Sequence, residues 1–428
     1  MGCSKMDPSR TVNDRRTSPD SVCTACGCFC DDIELHLEGN RIAEARGACS
    51  IGEAHFFGER RVDGPGSWIQ GEPVTFDNAV EQAAAILAGA SCPLVIGLKE
   101  CTTEGHRASV ELAESIGGCL DVPGAAATIA SLQSVGEVTC TLGEIQNRAD
   151  LVLVWRADPV QTHPRLFSRH VLEPKGDFLP GGRNDRYLAV VDIRETTTLA
   201  EADRAIRIEE GAEVEAIWVL RALVKGIAIE GEKRAGVALR DWQGLVERLR
   251  EAHYGAIFYD AGLDGLSVRG IHSLVRELND WTRFVVMPLG PKGNVVGARN
   301  VLTWRTGFPG AVRFVEGHRP LASDARLPRE SAVDAVLVVS GDPMEADDEP
   351  TREAVRKVPR IVLTGNQEAD PQAADVVIRT AAFGIETSGT VYRMDGVPLP
   401  LQAAVASRFP TVEVTLRAIE HRVRERRA

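Results

Sequence analysis

Cys23, Cys26 and Cys30 form a C-x2-C-x3-C run, and Cys49 follows after eighteen further residues. Thiolates at this spacing can enclose one cubane iron–sulfur cluster, three from a tight loop and the fourth closing the site from a distance. A zinc site more naturally shows two matched C-x2-C pairs, and no second pair occurs here. Spacing alone leaves three readings open: a cluster, a zinc site or a structural cysteine knot. Cys28 lies inside the run and is surplus to four ligands. Cys92, Cys101, Cys119 and Cys140 read as core or surface thiols.

A second group of residues stands at the ends of apolar runs. Asp150 precedes LVLVW, which ends in Arg156-Ala157-Asp158-Pro159. Asp334 precedes AVLVV, which ends in Ser340-Gly341-Asp342-Pro343. Ligands dock at the carboxyl ends of strands in open α/β sheets, so matching ends suggest two related sites. Taken singly, each Asp-Pro reads equally well as a turn starter. A third run, Tyr187 to Val191, leads into Asp192-Ile193-Arg194-Glu195 and three threonines. Carboxylate, guanidinium and hydroxyls there suit a nucleotide, and a solvated loop with a helix N-cap is the plainer reading. Gly-rich loops recur at 289–294 and 306–310, yet neither G-x-G-x-x-G after a strand nor a P-loop is present.

Positioning these residues requires alternating elements. A hairpin is expected from Ile33–Leu37 and Arg41–Ala45 around Glu38-Gly39-Asn40. Helical spacing over 76–90 and 103–117 alternates with short apolar strands at 93–97 and 151–155. This is the pattern of a parallel sheet covered on both faces. The chain has 428 residues, which implies two or three domains. Met1 to Ser21 lacks the apolar stretch of a secretory signal and reads as a disordered tail. No apolar run approaches a membrane span, and a net charge of −12 argues against nucleic-acid binding. Ten unevenly spaced cysteines indicate a reducing, cytoplasmic setting.

Together these blocks resemble the B subunit of formylmethanofuran dehydrogenase, a member of the molybdenum and tungsten bis-pterin oxidoreductases. The resemblance covers about residues 20 to 400. It is carried by CTACGCFCDDIEL, the Ala48–Gly52 block, TLGEIQNRADLVLVWRADPVQTHPRLFSRH and VVDIRETTTLAEADRAI. The segment from Asn294 to Phe308 and the 386–396 region add to it. The resemblance implies formate dehydrogenase/DMSO reductase-like domains I–III: an iron–sulfur module and two α/β domains related by a pseudo-twofold axis, with no C-terminal barrel domain. The expected boundaries are 1–21 tail, 22–72 iron–sulfur module, 73–185 with parts of 310–400, 186–309 as the second α/β domain, and 401–428 as a terminal helix. It further implies a [4Fe-4S] cluster on Cys23, Cys26, Cys30 and Cys49. Molybdopterin guanine dinucleotide with Mo or W would lie beside Asp158, Asp192, Arg194, Asn294, Gly297 and Asp342.

One departure matters. Where the family places a metal-ligating Cys, this chain reads Val122-Pro123-Gly124-Ala125-Ala126-Ala127-Thr128, and Cys119 lies upstream. Neither Gly nor Ala offers a donor atom. No catalytic residue is assigned on this basis. The resemblance then points to the bacterial formyltransferase/hydrolase complex. The resemblance implies that its B subunit acts as a non-redox scaffold for three partners: the amidohydrolase-like A subunit, the formyltransferase D subunit and the C subunit. The alternative is an active Mo/W bis-pterin dehydrogenase subunit. His163 and His170 suit either a phosphate or partner contact or an ordinary helix end. His55 would pack beside the cluster or cap its helix, and Asp31 and Asp32 would fix the loop.

Overall fold

The computed structural model describes residues 15–58, 64–122, 126–290, 292–321, 333–340, 353, 355–366 and 370–428. Its amino-terminal module is an antiparallel sheet of β1 (Arg15–Ser21), β2 (Ile33–Glu38) and β3 (Arg41–Arg46), followed by α1 (Ser50–Phe57). Ile33, Leu35 and Leu37 alternate inward along β2 and pack with Ile42, Ala45 and Phe56. The expected hairpin is therefore present, and Gly39 turns it with a φ of +60°. Residues 15–21 differ from the expected tail. They pair with β2 from Arg15 opposite Glu38 to Ser21 opposite Ile33, and Arg16 donates to the Ala404 carbonyl. A polar edge strand with one exposed face carries no apolar alternation, so periodicity does not reveal it.

The chain next lays down β4 (Ser67–Ile69), β5 (Glu72–Pro73), α2 (Phe76–Gly89), β6 (Pro93–Gly97), α3 (Thr103–Ile116) and β7 (Cys119–Leu120). Thr75 and Thr102 cap the starts of the two helices with their side chains, and Gly117 ends α3 in the left-handed region. Then α4 (Ala126–Ser134) and α5 (Leu142–Arg148) lead into a second sheet. Thr141 and Glu144 close a reciprocal capping box on α5.

The second sheet is wholly parallel, in the order β10-β9-β8-β13-β14. Its strands are β8 (Leu151–Trp155), β9 (Tyr187–Asp192), β10 (Arg204–Arg207), β13 (Tyr254–Asp260) and β14 (Arg283–Leu289). A ribbon of β11 (Lys233–Arg234) and β12 (Val237–Ala238) lies between β10 and β13 in sequence. The connecting helices are α6 (Pro159–Thr162), α7 (Pro164–Leu166), α8 (Thr197–Ala200), α9 (Glu213–Val224), α10 (Leu239–Glu251) and α11 (Gly265–Leu278). Two apolar cores, one on each face, enclose β8, and every residue of LVLVW is buried.

The chain returns through α12 (Val295–Thr306), β15 (Val312–Arg313), β16 (Arg319–Pro320), β17 (Ala335–Val339), β18 (Arg360–Thr364) and β19 (Val376–Arg379). These join the earlier strands in a nine-stranded sheet, β16-β15-β7-β6-β17-β18-β19-β4-β5, whose β7-β6-β17-β18-β19 centre is parallel. A hairpin of β20 (Gly389–Tyr392) and β21 (Pro398–Leu401) precedes α13 (Val412–Arg427), which packs on α2 and α3.

Three boundaries thus differ from those expected. β8 belongs to the second sheet, so the first crossing falls before residue 151 rather than at 185. Val295, Ala298, Val301 and Leu302 of α12 bury into the core of the nine-stranded sheet, so the return falls before 309. β4 and β5 extend the nine-stranded sheet rather than the cysteine module. Among the described residues no helix is long and apolar enough to cross a membrane.

Candidate metal centre

The loop between β1 and β2 carries Cys23, Cys26, Cys28 and Cys30. Its closure is fixed by the Cys23 N–H donating to the Cys30 carbonyl at 2.9 Å. Phe29 takes a left-handed φ of 38° and is fully buried among Val22, Phe383, Val391, Leu399 and Leu401. That anchor fixes the backbone between Cys28 and Cys30. Cys49 is the N-cap of α1, and one helical turn on stands Gly52. A Cβ there would lie 3.2 Å from the Cys23 sulfur and 3.9 Å from that of Cys49, so both thiols face this glycine. His55, also on α1, bonds through Nε2 to the Thr24 hydroxyl at 3.1 Å and so fastens the helix to the loop.

Every described cysteine is a free thiol. Burial pushes Cys23 up to about 12. Hydrogen bonding with Cys28 draws Cys26 below its ordinary value; a second bond from Cys28, helped by Arg165 and Arg169, brings Cys30 to about 7. Cys28, bonded to both neighbours and buried, is driven well above the thiol range. Among the described residues no three His, Cys, Asp or Glu side chains close around a single ion. In a cubane each thiolate takes a different iron, so its four ligands stand further apart than those of one ion. The all-thiol donor set fits such a cluster, and Gly52 puts no β-carbon against the Cys23 and Cys49 sulfurs.

A charged rim surrounds the loop. Arg165 of α7 grips Asp32 with both terminal nitrogens, at 2.6 and 2.8 Å, and Arg169 adds a third contact at 3.0 Å. On the other side Arg393 forks onto Asp395 at 2.8 Å and approaches Asp31 at 3.9 Å. Asp32 therefore fixes the loop, as its position suggested, and does so through arginines that spacing did not single out. His163 is buried, bonded to the Thr162 hydroxyl, and held down to about 4 by burial. Burial holds His170 near 4 as well.

The strand ends of the second sheet form a separate polar network. Arg156, directly after β8, has a φ of 55°, donates to Asp192 at 3.0 Å and forms an ion pair with Glu213 at 3.2 Å. Ser340, directly after β17, repeats the conformation with a φ of 54°. Asp192 is buried and also accepts from the Ile193 and Arg194 N–H groups. Asp158 accepts from the Thr197 and Thr198 N–H groups and from the Thr198 hydroxyl at 2.6 Å, joining the end of β8 to α8. Asn294 is fully buried; its nitrogen donates to the Cys101 carbonyl, and its oxygen accepts from Gly297 and Tyr392. Gly297 lies so close to this amide that a Cβ would stand 2.4 Å from its oxygen. Arg194 is exposed, and Asp342 lies outside the described residues. Of the set expected to hold a pterin guanine dinucleotide, Asp158, Asp192 and Asn294 are thus engaged within the protein.

Of the segment replacing the family's metal ligand, Pro123, Gly124 and Ala125 lie outside the described residues. Cys119 lies upstream of it. It sits in β7 with its sulfur 3.9 Å from Cys92, in an apolar core with Trp68, Val336 and Val338. A buried chain that spacing did not reveal lies just after the segment. His272 bonds the Ser131 hydroxyl at 2.9 Å and the Tyr259 hydroxyl at 3.1 Å, fastening α4 to β13 and α11.

No family model matches the chain. It is similar to the B subunit of tungsten-containing formylmethanofuran dehydrogenase 2 from Methanocaldococcus jannaschii, at 34% identity over 405 residues, 90% of this chain and 93% of that protein. It is also similar to the B subunit of the formyltransferase/hydrolase complex Fhc of Methylorubrum extorquens, at 27% identity over 84% of this chain and 97% of that one. Among solved structures, a chain of the formyltransferase/hydrolase complex from Methylorubrum extorquens, crystallised with methylofuran, superposes with a TM-score of 0.70. That match has 27% identity and covers 84% of this chain and 99% of the other. Acetylene hydratase from Pelobacter acetylenicus shares the fold at 11% identity, with a TM-score of 0.65 over 95% of this chain and 69% of that one.

Proposed function

This chain belongs to the family of formylmethanofuran dehydrogenase B subunits, and we propose that within it the protein is the non-redox scaffold of a formyltransferase/hydrolase complex in one-carbon metabolism. The complex would move a formyl group between tetrahydromethanopterin and a methanofuran-like carrier and hydrolyse it to formate. The chemistry would lie on the amidohydrolase-like A subunit and the formyltransferase D subunit, with the C subunit completing the assembly. The observation that carries this reading is the Val122–Thr128 segment, which holds no thiol, together with a Cys119 turned into an apolar core against Cys92. A metal at that position would lack its protein sulfur ligand.

Cys23, Cys26, Cys30 and Cys49 would hold a [4Fe-4S] cluster, which supplies a one-electron couple and ties the loop to α1. The free thiols suit a cytoplasmic setting. No step of this function runs through a pterin. The higher identity to a tungsten-containing relative supports a second reading, an active bis-pterin dehydrogenase subunit. Metal, sulfide and pterin analysis of the complex purified without air separates the two. The scaffold reading expects iron and sulfide without molybdenum, tungsten or pterin. Bound molybdenum or tungsten with pterin, and viologen-linked turnover of formate or formylmethanofuran, would overturn it.

A further inference from the structure

Cys92 and Cys119 lie 27 residues apart in sequence, yet their sulfurs stand 3.9 Å from each other. β6 and β7 run parallel, with Leu94 opposite Cys119. Cys92 comes two residues before Leu94, so both thiols fall on one face of the sheet, in the core with Trp68 and Val338. The backbones meet closely here, since a Cβ on Gly118 would lie 2.5 Å from the Pro93 carbonyl oxygen. Each residue is also held from its far side. Asp334 accepts the Cys92 N–H at 2.8 Å, and β15 sets Arg313 opposite Cys119. Cys92 is 7% exposed and Cys119 1%, so an oxidant arriving from solvent meets Cys92 first.

We propose that Cys92 and Cys119 are a redox-sensitive thiol pair, which hydrogen peroxide joins into a disulfide that staples β7 to β6. Cys92 takes one peroxide oxygen as a sulfenic acid and releases water. The Cys119 sulfur then attacks the Cys92 sulfur, the S–S bond forms, and a second water leaves. Two thiols thus lose two electrons and two protons, and one peroxide becomes two waters. Burial slows the first step, whereas the second needs no approach because the sulfurs are already in contact. In a reducing setting the pair rests as thiols, as both are here. The bond matters because β7 meets β6 at two positions, Leu94 with Cys119 and Val95 with Leu120. Through β7 the sheet carries β15 and β16, and β7 leads into the Val122–Thr128 segment.

The test treats the complex, purified without air, with hydrogen peroxide at a dose that also oxidises methionine. The remaining thiols are then alkylated under denaturing conditions and the peptides mapped by mass spectrometry. Untreated protein should yield both cysteines alkylated. Treated protein should yield the Cys92 and Cys119 peptides linked, two hydrogens below their summed mass, and dithiothreitol should part them. Peroxide should also widen the gap in unfolding midpoint between wild type and Cys92→Ala by about 5–10 °C, because the bond restrains the unfolded chain. Damage to other cysteines cancels in that comparison, and the wild-type peptide map decides alone if the variant does not fold. Both peptides recovered alkylated, Cys92 as sulfinic or sulfonic acid without the link, or either sulfur joined to another cysteine would overturn the proposal. A linked pair with no wider gap would overturn the stapling of β7.

Discussion

Asp150 and Asp334 occupy the same place in two different sheets. Asp150, just before β8, accepts the N–H groups of His253 and Tyr254 at the start of β13, both near 2.9 Å. Asp334, just before β17, accepts those of Ser91 and Cys92 at the entry to β6, at 2.6 and 2.8 Å. In each case a carboxylate satisfies the backbone donors of the adjoining parallel strand, which has no partner strand there to accept them. With the left-handed Arg156 and Ser340 at the opposite ends of β8 and β17, the two halves share a local plan.

Removing these carboxylates should therefore loosen the sheets separately. Asp150→Ala is expected to cost about 2 kcal/mol, and Asp334→Ala, which is more exposed, about 1 kcal/mol. For a domain of this size that lowers the unfolding midpoint by about 4–8 °C and 2–4 °C respectively. Calorimetry of the two single variants and the double variant should show additive losses, since the sites lie in different sheets. Midpoints matching the wild type would show that water serves these donors equally well.

Gly52 gives a prediction with opposite signs for stability and loading. Alanine inside a helix ordinarily adds about 0.5–1 kcal/mol, and Gly52 stands in the first turn of α1. Here the added methyl meets the Cys23 sulfur at 3.2 Å. Gly52→Ala should weaken retention of iron about 10-fold while leaving the apoprotein no less stable. Gly89→Ala in α2, where nothing lies within 4 Å, is the control. Iron retention against a chelator measures both, and equal retention would place the cluster elsewhere.

Much of this arrangement was legible because its signals are local. The cysteine spacing, the Gly39 hairpin and the two wholly apolar strands are each contained within a few residues. What escaped depends on partners distant in sequence. Asp150 and Asp334 marked the repeat correctly, yet they stand at the amino ends of their strands and serve the backbone, so the pattern alone did not reveal their job. β8 reads the same whichever sheet receives it, because periodicity encodes burial and not strand order. Arg165 and Asp32 meet only through the fold, and a carboxylate in a cysteine loop carries no mark of the arginine that will hold it.

Four histidines held low by burial set the response to mild acid: His163 and His170, described above, and His106 and His272, which pack beside different sheets. His106 bonds the Leu98 carbonyl, and His272 lies between Ser131 and Tyr259. Burial holds both down to about 4, against 6.5 for the free side chain. The unfolded chain therefore takes up these protons first. Stability is full above pH 6.5 and falls as pH drops toward 4, by at most about 3 kcal/mol for each group. Denaturant titrations from pH 8 to pH 4 should show this slope, and His106→Gln and His272→Gln should each flatten it. An unchanged slope in both variants would assign the acid response to His163, His170 or carboxylates instead.

Cys119 offers a direct check on the missing metal ligand. Its sulfur faces Cys92 in an apolar core. Cys119→Ala should cost about 1 kcal/mol, and Cys119→Ser, which buries a hydroxyl, about 1–3 kcal/mol. Neither should change the metal content of the complex. Loss of molybdenum or tungsten with iron retained would put this thiol on a metal and sink the scaffold reading.

Arg186 is expected to give the largest single effect on stability. It is 2% exposed and has no carboxylate partner among the described residues. Its guanidinium donates to backbone carbonyls of Ile145 and Gln146 at the end of α5, of Ala149 just beyond it, and of His170 and Val171. The Ile145 and Gln146 carbonyls also accept the Ala149 and Lys175 N–H groups, so there the guanidinium is a second donor, and one side chain ties the ends of two helical turns together. Burial lowers the group to about 10, which leaves it charged at neutral pH. Because the second of these turns includes Arg169 and follows Arg165, the same contact helps hold the rim against the cysteine loop. Arg186→Met keeps the volume but strands several buried acceptors, and should cost about 3–5 kcal/mol. Arg186→Lys, with fewer donors and no fork, should recover only part of that. Thermal unfolding ranks the three proteins, and iron retention in the methionine variant should fall with the rim. A methionine variant within about 1 kcal/mol of the wild type would mean that these carbonyls find other donors.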